Sequence, residues 1–157
     1  MAESRSGTIY YKRSRFLTHL PEDRLYTKSH CWLGQAGPGV WRVGLTRFAS
    51  RMLGDVVEFK FSVASGEAVA IGQEIGWIEG FKAVSSLYCV AEGSLLRMNP
   101  ELDSDITLLD AKPYGEGWLY EVSGHPEPEA TDVAGYVALL DATIDKMVES
   151  RHSGANG

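Results

Sequence analysis

The sequence predicts a mainly β domain that contains one short internal helix and closes with an amphipathic helix. Apolar and polar residues alternate over short stretches, and glycines recur between those stretches, which is typical of short strands joined by tight corners. After residue 132 the apolar residues recur every three to four positions, which predicts a helix with one buried face. The chain of 157 residues is long enough for one domain with short tails.

The elements follow from the N-terminus. Residues 1–20 carry four basic residues against one acidic residue and show no clear periodicity, so we expect a basic N-terminal arm. A folded domain is expected over residues 21–150, and a flexible tail over residues 151–157. Alternation at residues 41–44 and 57–61 predicts half-buried strands. Between them, Thr46 can cap a short helix that runs through Leu53, and Gly54 can end it.

The second half of the chain continues the β pattern. Residues 65–98 show no helical period but place glycines among apolar residues, which predicts compact strands with tight corners. A Pro-Tyr-Gly-Glu-Gly turn at residues 113–117 leads into a strand at residues 118–122. Residues 133–148 carry the spacing of the closing amphipathic helix.

Composition excludes several classes of function. The formal net charge of −6 argues against a nucleic-acid partner, because phosphate binding needs a basic face. No apolar run approaches a membrane span and no hydrophobic signal region is present, so we expect a cytoplasmic protein with no membrane partner. Cys31 and Cys89 are the only cysteines and lack metal-type or CxxC spacing, so no metal site is predicted.

One lysine has the surroundings of a carrier residue. Lys82 follows a glycine-containing corner between two apolar stretches, which predicts a hairpin tip that places its amine in water. An accessible amine on a rigid hairpin suits covalent attachment of a carrier group. Most turn lysines are simply solvated, so the local pattern leaves both interpretations open.

The residues around this lysine resemble a known attachment motif. Glu79-Gly80-Phe81-Lys82-Ala83 is similar to the Glu-Gly-Asp-Lys-Ala motif of lipoyl domains and to the Glu-Ser-Val-Lys-Ala motif of glycine cleavage H proteins. Gly66 lies 16 residues before the lysine and Gly93 lies 11 after it, at the spacings of the strand-turn glycines of such domains. A biotinyl domain would place methionines beside the lysine, so the resemblance favours lipoate.

A wider similarity to the glycine cleavage H-protein family runs from about Leu25 to Glu149. The matching blocks are Tyr26–Trp32, Val43–Thr46, Leu53–Val57, Lys82–Tyr88 and Pro113–Leu119. The resemblance implies a flattened β-sandwich, the lipoyl/biotinyl-type barrel-sandwich hybrid, with a lipoyl-lysine hairpin and a C-terminal helix.

The same resemblance implies a carrier subunit without an active site of its own. Lipoate would be attached covalently to Lys82 by a lipoate ligase or a lipoyl/octanoyl transferase. The lipoyl arm would carry an aminomethyl unit from glycine decarboxylase to aminomethyltransferase, and dihydrolipoyl dehydrogenase would reoxidise it.

The cleft that shelters the cargo in this family is altered. Family members place a serine, a glutamate and an aspartate at the positions of Ser29, Cys31 and Ser86, so two acids are replaced. A carboxylate facing an ammonium contributes about 1 to 3 kcal/mol, so weaker retention of a charged amine is expected. Gly80 also replaces the family's serine. Two alternatives therefore stay open: a lipoate carrier serving sulfur-oxidising, heterodisulfide-reductase-like enzymes, and an unmodified H-like interaction module.

Overall fold

The computed structural model describes residues 7–156. Its strands are β1 (Thr8–Arg13), β2 (Phe16–Pro21), β3 (Leu25–Tyr26), β4 (Cys31–Gly37), β5 (Val40–Leu45), β6 (Val56–Phe61), β7 (Ala68–Val69), β8 (Glu74–Gly80), β9 (Val84–Tyr88), β10 (Ala91–Met98) and β11 (Tyr120–Pro126). Its helices are α1 (Arg47–Leu53), α2 (Glu101–Ser104), α3 (Leu108–Ala111) and α4 (Val133–Asn156).

Two sheets form the sandwich that the family resemblance implies. The larger sheet has the strand order β3-β4-β5-β11-β10-β7, and the smaller sheet has the order β6-β8-β9. One hydrophobic core joins side chains of both sheets, among them Leu33 and Val43 from the larger and Ile75 and Ile78 from the smaller. The mainly β fold class is confirmed, because alternating apolar residues of both sheets meet in a shared core.

Both predicted helices are present. Thr46 caps α1 and accepts a hydrogen bond from the backbone N–H of Ala49, and Gly54 ends the helix with a φ of 77°. Helix α4 buries Tyr136, Leu140 and Ile144 along one face. Nothing in the described part of the chain, this 24-residue helix included, combines the length and apolar character that a membrane-crossing helix needs.

The ends of the chain differ from the sequence prediction. The described part of the predicted N-terminal arm is a β-hairpin, because Phe16, Thr18 and Leu20 are buried in alternation with the exposed Leu17 and His19. Because one of the buried residues, Thr18, is polar, the alternation of buried and exposed residues is not evident from the sequence. Residues 1–6 of the predicted arm lie outside the described residues. At the other end, α4 continues to residue 156, because no proline interrupts it and a formed helix propagates readily.

The N-terminal hairpin has its own hydrophobic core. Tyr11, Phe16 and Leu20 pack in a cluster that also contains Phe48 of α1 and the buried face of α4. Polar contacts join the same elements: the Tyr11 hydroxyl donates to Asp141, and the Arg13 guanidinium binds Asp145 at 2.8 and 2.9 Å. The hairpin is therefore anchored to the C-terminal helix by apolar and ionic contacts together.

Candidate functional site

Lys82 lies at the tip of the β8–β9 hairpin. The strand pairing ends at Glu79 and Val84, and the Gly80 N–H donates to the Ala83 carbonyl at 2.9 Å to close the turn. Lys82 and Phe81 are both exposed, with 79% of the Phe81 surface accessible. Among the described residues, no carboxylate lies within ion-pair distance of the Lys82 ammonium. The predicted hairpin tip is therefore present, with its amine accessible.

The end of helix α1 holds the tip in place. The Lys82 N–H donates to the Leu53 carbonyl at 2.8 Å, and the Phe81 N–H donates to the Asp55 carbonyl at 3.0 Å. The absence of a side chain at Gly54 leaves room for Lys82, since a Cβ there would lie 3.0 Å from the lysine Cγ. These contacts satisfy the last carbonyl of α1, at Leu53, and the carbonyl of Asp55 just beyond the helix. They fix the base of the lysine side chain while its amine stays in solvent.

Gly80 has a structural reason for replacing the family's serine. Its backbone packs directly against the carbonyl group of Leu53, and a Cβ at this position would collide with that oxygen and its carbon. The hairpin consequently lies closer to α1 than a serine would permit in this backbone. Glu79 is half-buried on β8, and Ala83 is exposed beside the lysine.

A cleft beside the hairpin brings the predicted cleft positions together. It has a volume of about 360 Å³ and contains Ser29, Cys31 and Ser86, together with Ala83 from the lysine hairpin. Most of its other walls are apolar, from Leu45, Ala49, Met52, Leu53, Ile78 and Leu87. The fold therefore brings Ser86 beside Ser29 and Cys31, more than fifty residues earlier in the chain, in one largely apolar cleft next to the lysine hairpin.

Cys31 is inert in this cleft. Burial raises the pKa of its thiol to about 12, although the Ser29 hydroxyl acts in the opposite direction. The thiol therefore stays protonated at neutral pH and is a poor nucleophile. Cys89 is also buried, its pKa is likewise raised by burial, and it does not line the cleft.

Two carboxylates near the cleft were missed by sequence reasoning. Ser86 donates from its hydroxyl to the Glu74 carboxylate at 3.1 Å, so an acid from the neighbouring strand reaches the position where the family has an aspartate. Glu127 lies near enough to Cys31 for its charge to raise the pKa of that thiol further. Burial raises the pKa of Glu127 itself. Only the strand register, which the sequence does not reveal, could have indicated Glu74.

His30 lines the same cleft in a left-handed backbone conformation, with a φ of 65°. Its Nδ1 lies 2.9 Å from the Tyr136 hydroxyl, which also lies 2.8 Å from Thr46 Oγ1. Burial lowers the pKa of His30 to about 4. The imidazole is therefore neutral at physiological pH, and the cleft wall carries no positive charge at this position.

This burial predicts a pH-dependent stability. Between pH 6.5 and about 4 the unfolded state binds a proton at His30 that the folded state does not, so the free energy of unfolding falls as the pH is lowered. Allowing for the partial exposure of the ring, we expect a contribution of about 2 kcal/mol. Denaturant unfolding of wild type and His30→Asn at several pH values measures it, since asparagine tolerates this backbone conformation. Equal pH slopes in the two proteins would contradict the assignment.

The hairpin and the cleft beside it suit a covalently attached organic group. Among the residues that the structure describes, no cluster of three or more His, Cys, Asp or Glu side chains could hold a metal. An exposed lysine on a rigid hairpin, bordered by an apolar cleft, fits a flexible acyl group of low polarity.

That combination on a two-sheet sandwich defines a carrier domain of the lipoyl type. Comparison with known proteins agrees: residues 24–143 match the family model described as the glycine cleavage H-protein. The glycine cleavage system H protein of Mycobacterium tuberculosis is 35% identical over 129 residues, which cover 82% of this chain and 92% of that protein. The one from Mycobacteroides abscessus is 35% identical over 138 residues, covering 88% and 97% respectively.

A solved structure gives the same assignment. The crystal structure of a glycine cleavage system H protein from Mycobacterium marinum superposes with a TM-score of 0.68 at 32% identity, covering 76% of this chain and 97% of that one. The chain belongs to the glycine cleavage H-protein family, whose members carry lipoate on a lysine. This result confirms the resemblance and favours glycine cleavage over the sulfur-carrier and unmodified-module alternatives.

Proposed function

We propose that Lys82 carries the lipoate and that this chain is the mobile carrier of a glycine cleavage system. The observation that supports this most directly is the exposed Lys82 at a hairpin tip, beside a cleft that contains Ser29, Cys31 and Ser86. A lipoate ligase or a lipoyl/octanoyl transferase attaches the group and recognises the hairpin of Glu79, Gly80, Phe81 and Ala83, in which Phe81 and Ala83 are the exposed residues and Gly80 sets the shape of the turn.

The protein's contribution is presentation and shelter. When bound, lipoate supplies a disulfide that can accept a one-carbon amine unit. The backbone bonds from the hairpin tip to α1 keep the attachment point rigid, so the arm swings from a fixed base. The partners are glycine decarboxylase, aminomethyltransferase and dihydrolipoyl dehydrogenase. The cytoplasmic location stays a prediction from the sequence.

The cleft can hold a protonated amine despite the loss of two family acids. The Glu74 carboxylate does not line the cleft itself, but it accepts a hydrogen bond from Ser86 in the cleft wall and so supplies negative charge beside that wall. His30 is neutral at physiological pH, because burial lowers its pKa to about 4, so its ring does not repel a protonated amine in the cleft. Most of the remaining walls are apolar. We infer that Glu74 replaces the family's aspartate, from a neighbouring strand.

Exchange of labelled bicarbonate into glycine tests this function. Lipoylated protein mixed with glycine decarboxylase is expected to support exchange, whereas the unmodified protein is not. Glu74→Gln is expected to lower exchange about fivefold at limiting carrier, because an exposed charge pair contributes about 1 kcal/mol. Glu67→Gln is the matched control, because Glu67 is likewise an exposed acid that does not line the cleft. Unlike Glu74, it is not the acceptor of the Ser86 hydrogen bond. Absence of exchange with fully lipoylated wild type would contradict the glycine cleavage function. It would favour the alternative in which the lipoyl arm carries a sulfur species.

A further inference from the structure

A second groove borders Lys82, separate from the cleft. It has a volume of about 280 Å³, and Lys82 itself lines it. Its apolar residues come from the N-terminal hairpin, α1 and α4, and they include Phe16, Phe48, Met147 and Val148. The rings of Phe16 and Phe48 meet edge to face with their centres 5.4 Å apart. An apolar surface of this kind, open beside the attachment lysine, is suited to an apolar ligand.

Most of this groove is built from residues outside the family match. The family-model match covers residues 24–143, whereas the groove takes Arg13–Phe16 from the hairpin and Ile144, Met147, Val148 and Arg151 from α4. The anchoring of the hairpin to Asp141 and Asp145 therefore creates a surface that residues 24–143 alone do not form. Met52 lines both this groove and the cleft, so it lies between them.

The rim of the groove is cationic. Arg15, Arg51 and Arg151 line it, and all three are exposed. Among the described residues, none of the three takes part in an ion pair, whereas Arg13 is bound by Asp141 and Asp145. A positive rim disfavours an occupant that carries a protonated amine and tolerates an uncharged one.

We propose that this groove holds the lipoyl arm of Lys82 while the arm carries no cargo. The arm is tethered at a residue that already lines the groove, so occupancy costs little entropy compared with a free ligand. The apolar surface buries the hydrocarbon chain and the disulfide ring. Loading with a protonated amine places a positive charge among the arginines, and the arm then passes over Met52 into the cleft. This inference rests on the proposed lipoylation of Lys82.

Methyl NMR of labelled methionines tests the proposal in the intact protein. The chain has four methionines, and Met147 lines only the second groove, Met52 lines both sites, and Met98 lines neither. On lipoylation, the Met147 and Met52 signals are expected to shift, and the Met98 signal is expected to stay in place. A shift of Met52 alone would place the arm in the cleft, and no shift would place it in solvent. Either result would overturn the proposal.

Two controls distinguish binding of the arm in the groove from two other effects, the loss of the lysine charge and a failure of lipoylation. Lys82→Gln removes the lysine charge without adding an arm, and it is expected to leave the Met147 signal unmoved. If Met147 moves as much in Lys82→Gln as in the lipoylated protein, then loss of charge explains the shift and the proposal fails. Intact mass of the same sample reports the proposed function separately, because lipoylation adds about 188 Da. A sample from lipoate-replete cells without that mass overturns both proposals.

Discussion

Replacing Lys82 with arginine is expected to abolish lipoylation and, with it, all carrier activity. A guanidinium is not acylated as a primary amine is, so the charge is kept while the attachment chemistry is lost. The fold is expected to be unaffected, because the side chain is exposed and the bonds from the hairpin tip to α1 are made by backbone groups. Intact mass of both proteins, expressed in lipoate-replete cells, measures the effect: the addition of about 188 Da should be present in wild type only.

Lys112→Arg is the matched control for this experiment. Lys112 is an exposed lysine whose ion pair with Glu116 an arginine can also make, so this variant should be lipoylated as fully as wild type. Full modification of the Lys82→Arg protein would show that the lipoyl group is attached elsewhere. In that case the hairpin tip would have only a structural role.

Local signals in the sequence were sufficient for the parts of the fold that depend on neighbouring residues. Helix α1 could be predicted from Thr46 and Gly54, because a capping hydroxyl and a positive-φ glycine act within one helical turn. The position of Lys82 at a hairpin tip could be predicted for the same reason, since the turn is closed by a bond between Gly80 and Ala83.

Features that depend on distant contacts could not be predicted. The N-terminal hairpin is stabilised by α4, more than a hundred residues away, through Tyr11 and Arg13. In the sequence alone, the alternation of apolar and polar residues in this hairpin is short and interrupted by polar residues. The segment therefore has the pattern of an irregular arm. Glu74 reaches Ser86 only because of the register between β8 and β9. The second groove needs the hairpin, α1 and α4 together, so the sequence gives no local sign of it.

Tyr136 connects the C-terminal helix to the cleft. Its side chain is fully buried, and its ring stacks on Tyr26 with centres 4.7 Å apart. Its hydroxyl bonds both His30 in the cleft wall and Thr46, the residue that caps α1. Because α1 holds the lysine hairpin, one tyrosine on α4 supports both sides of the functional site.

Tyr136→Ala is expected to lower the free energy of unfolding by about 3 to 5 kcal/mol, because it removes a fully buried aromatic ring. Tyr136→Phe keeps the ring and is expected to cost about 1 to 3 kcal/mol, because it leaves buried polar groups of His30 and Thr46 without their partner. Denaturant unfolding measures both, with Tyr10→Ala, an exposed hairpin tyrosine, as a control expected to change stability by less than about 0.5 kcal/mol. Equal stabilities of the Tyr136→Ala and Tyr10→Ala proteins would show that α4 does not support the site. If Tyr136→Phe matched wild type, the hydroxyl bonds would contribute nothing, and the cleft wall would be positioned by packing alone.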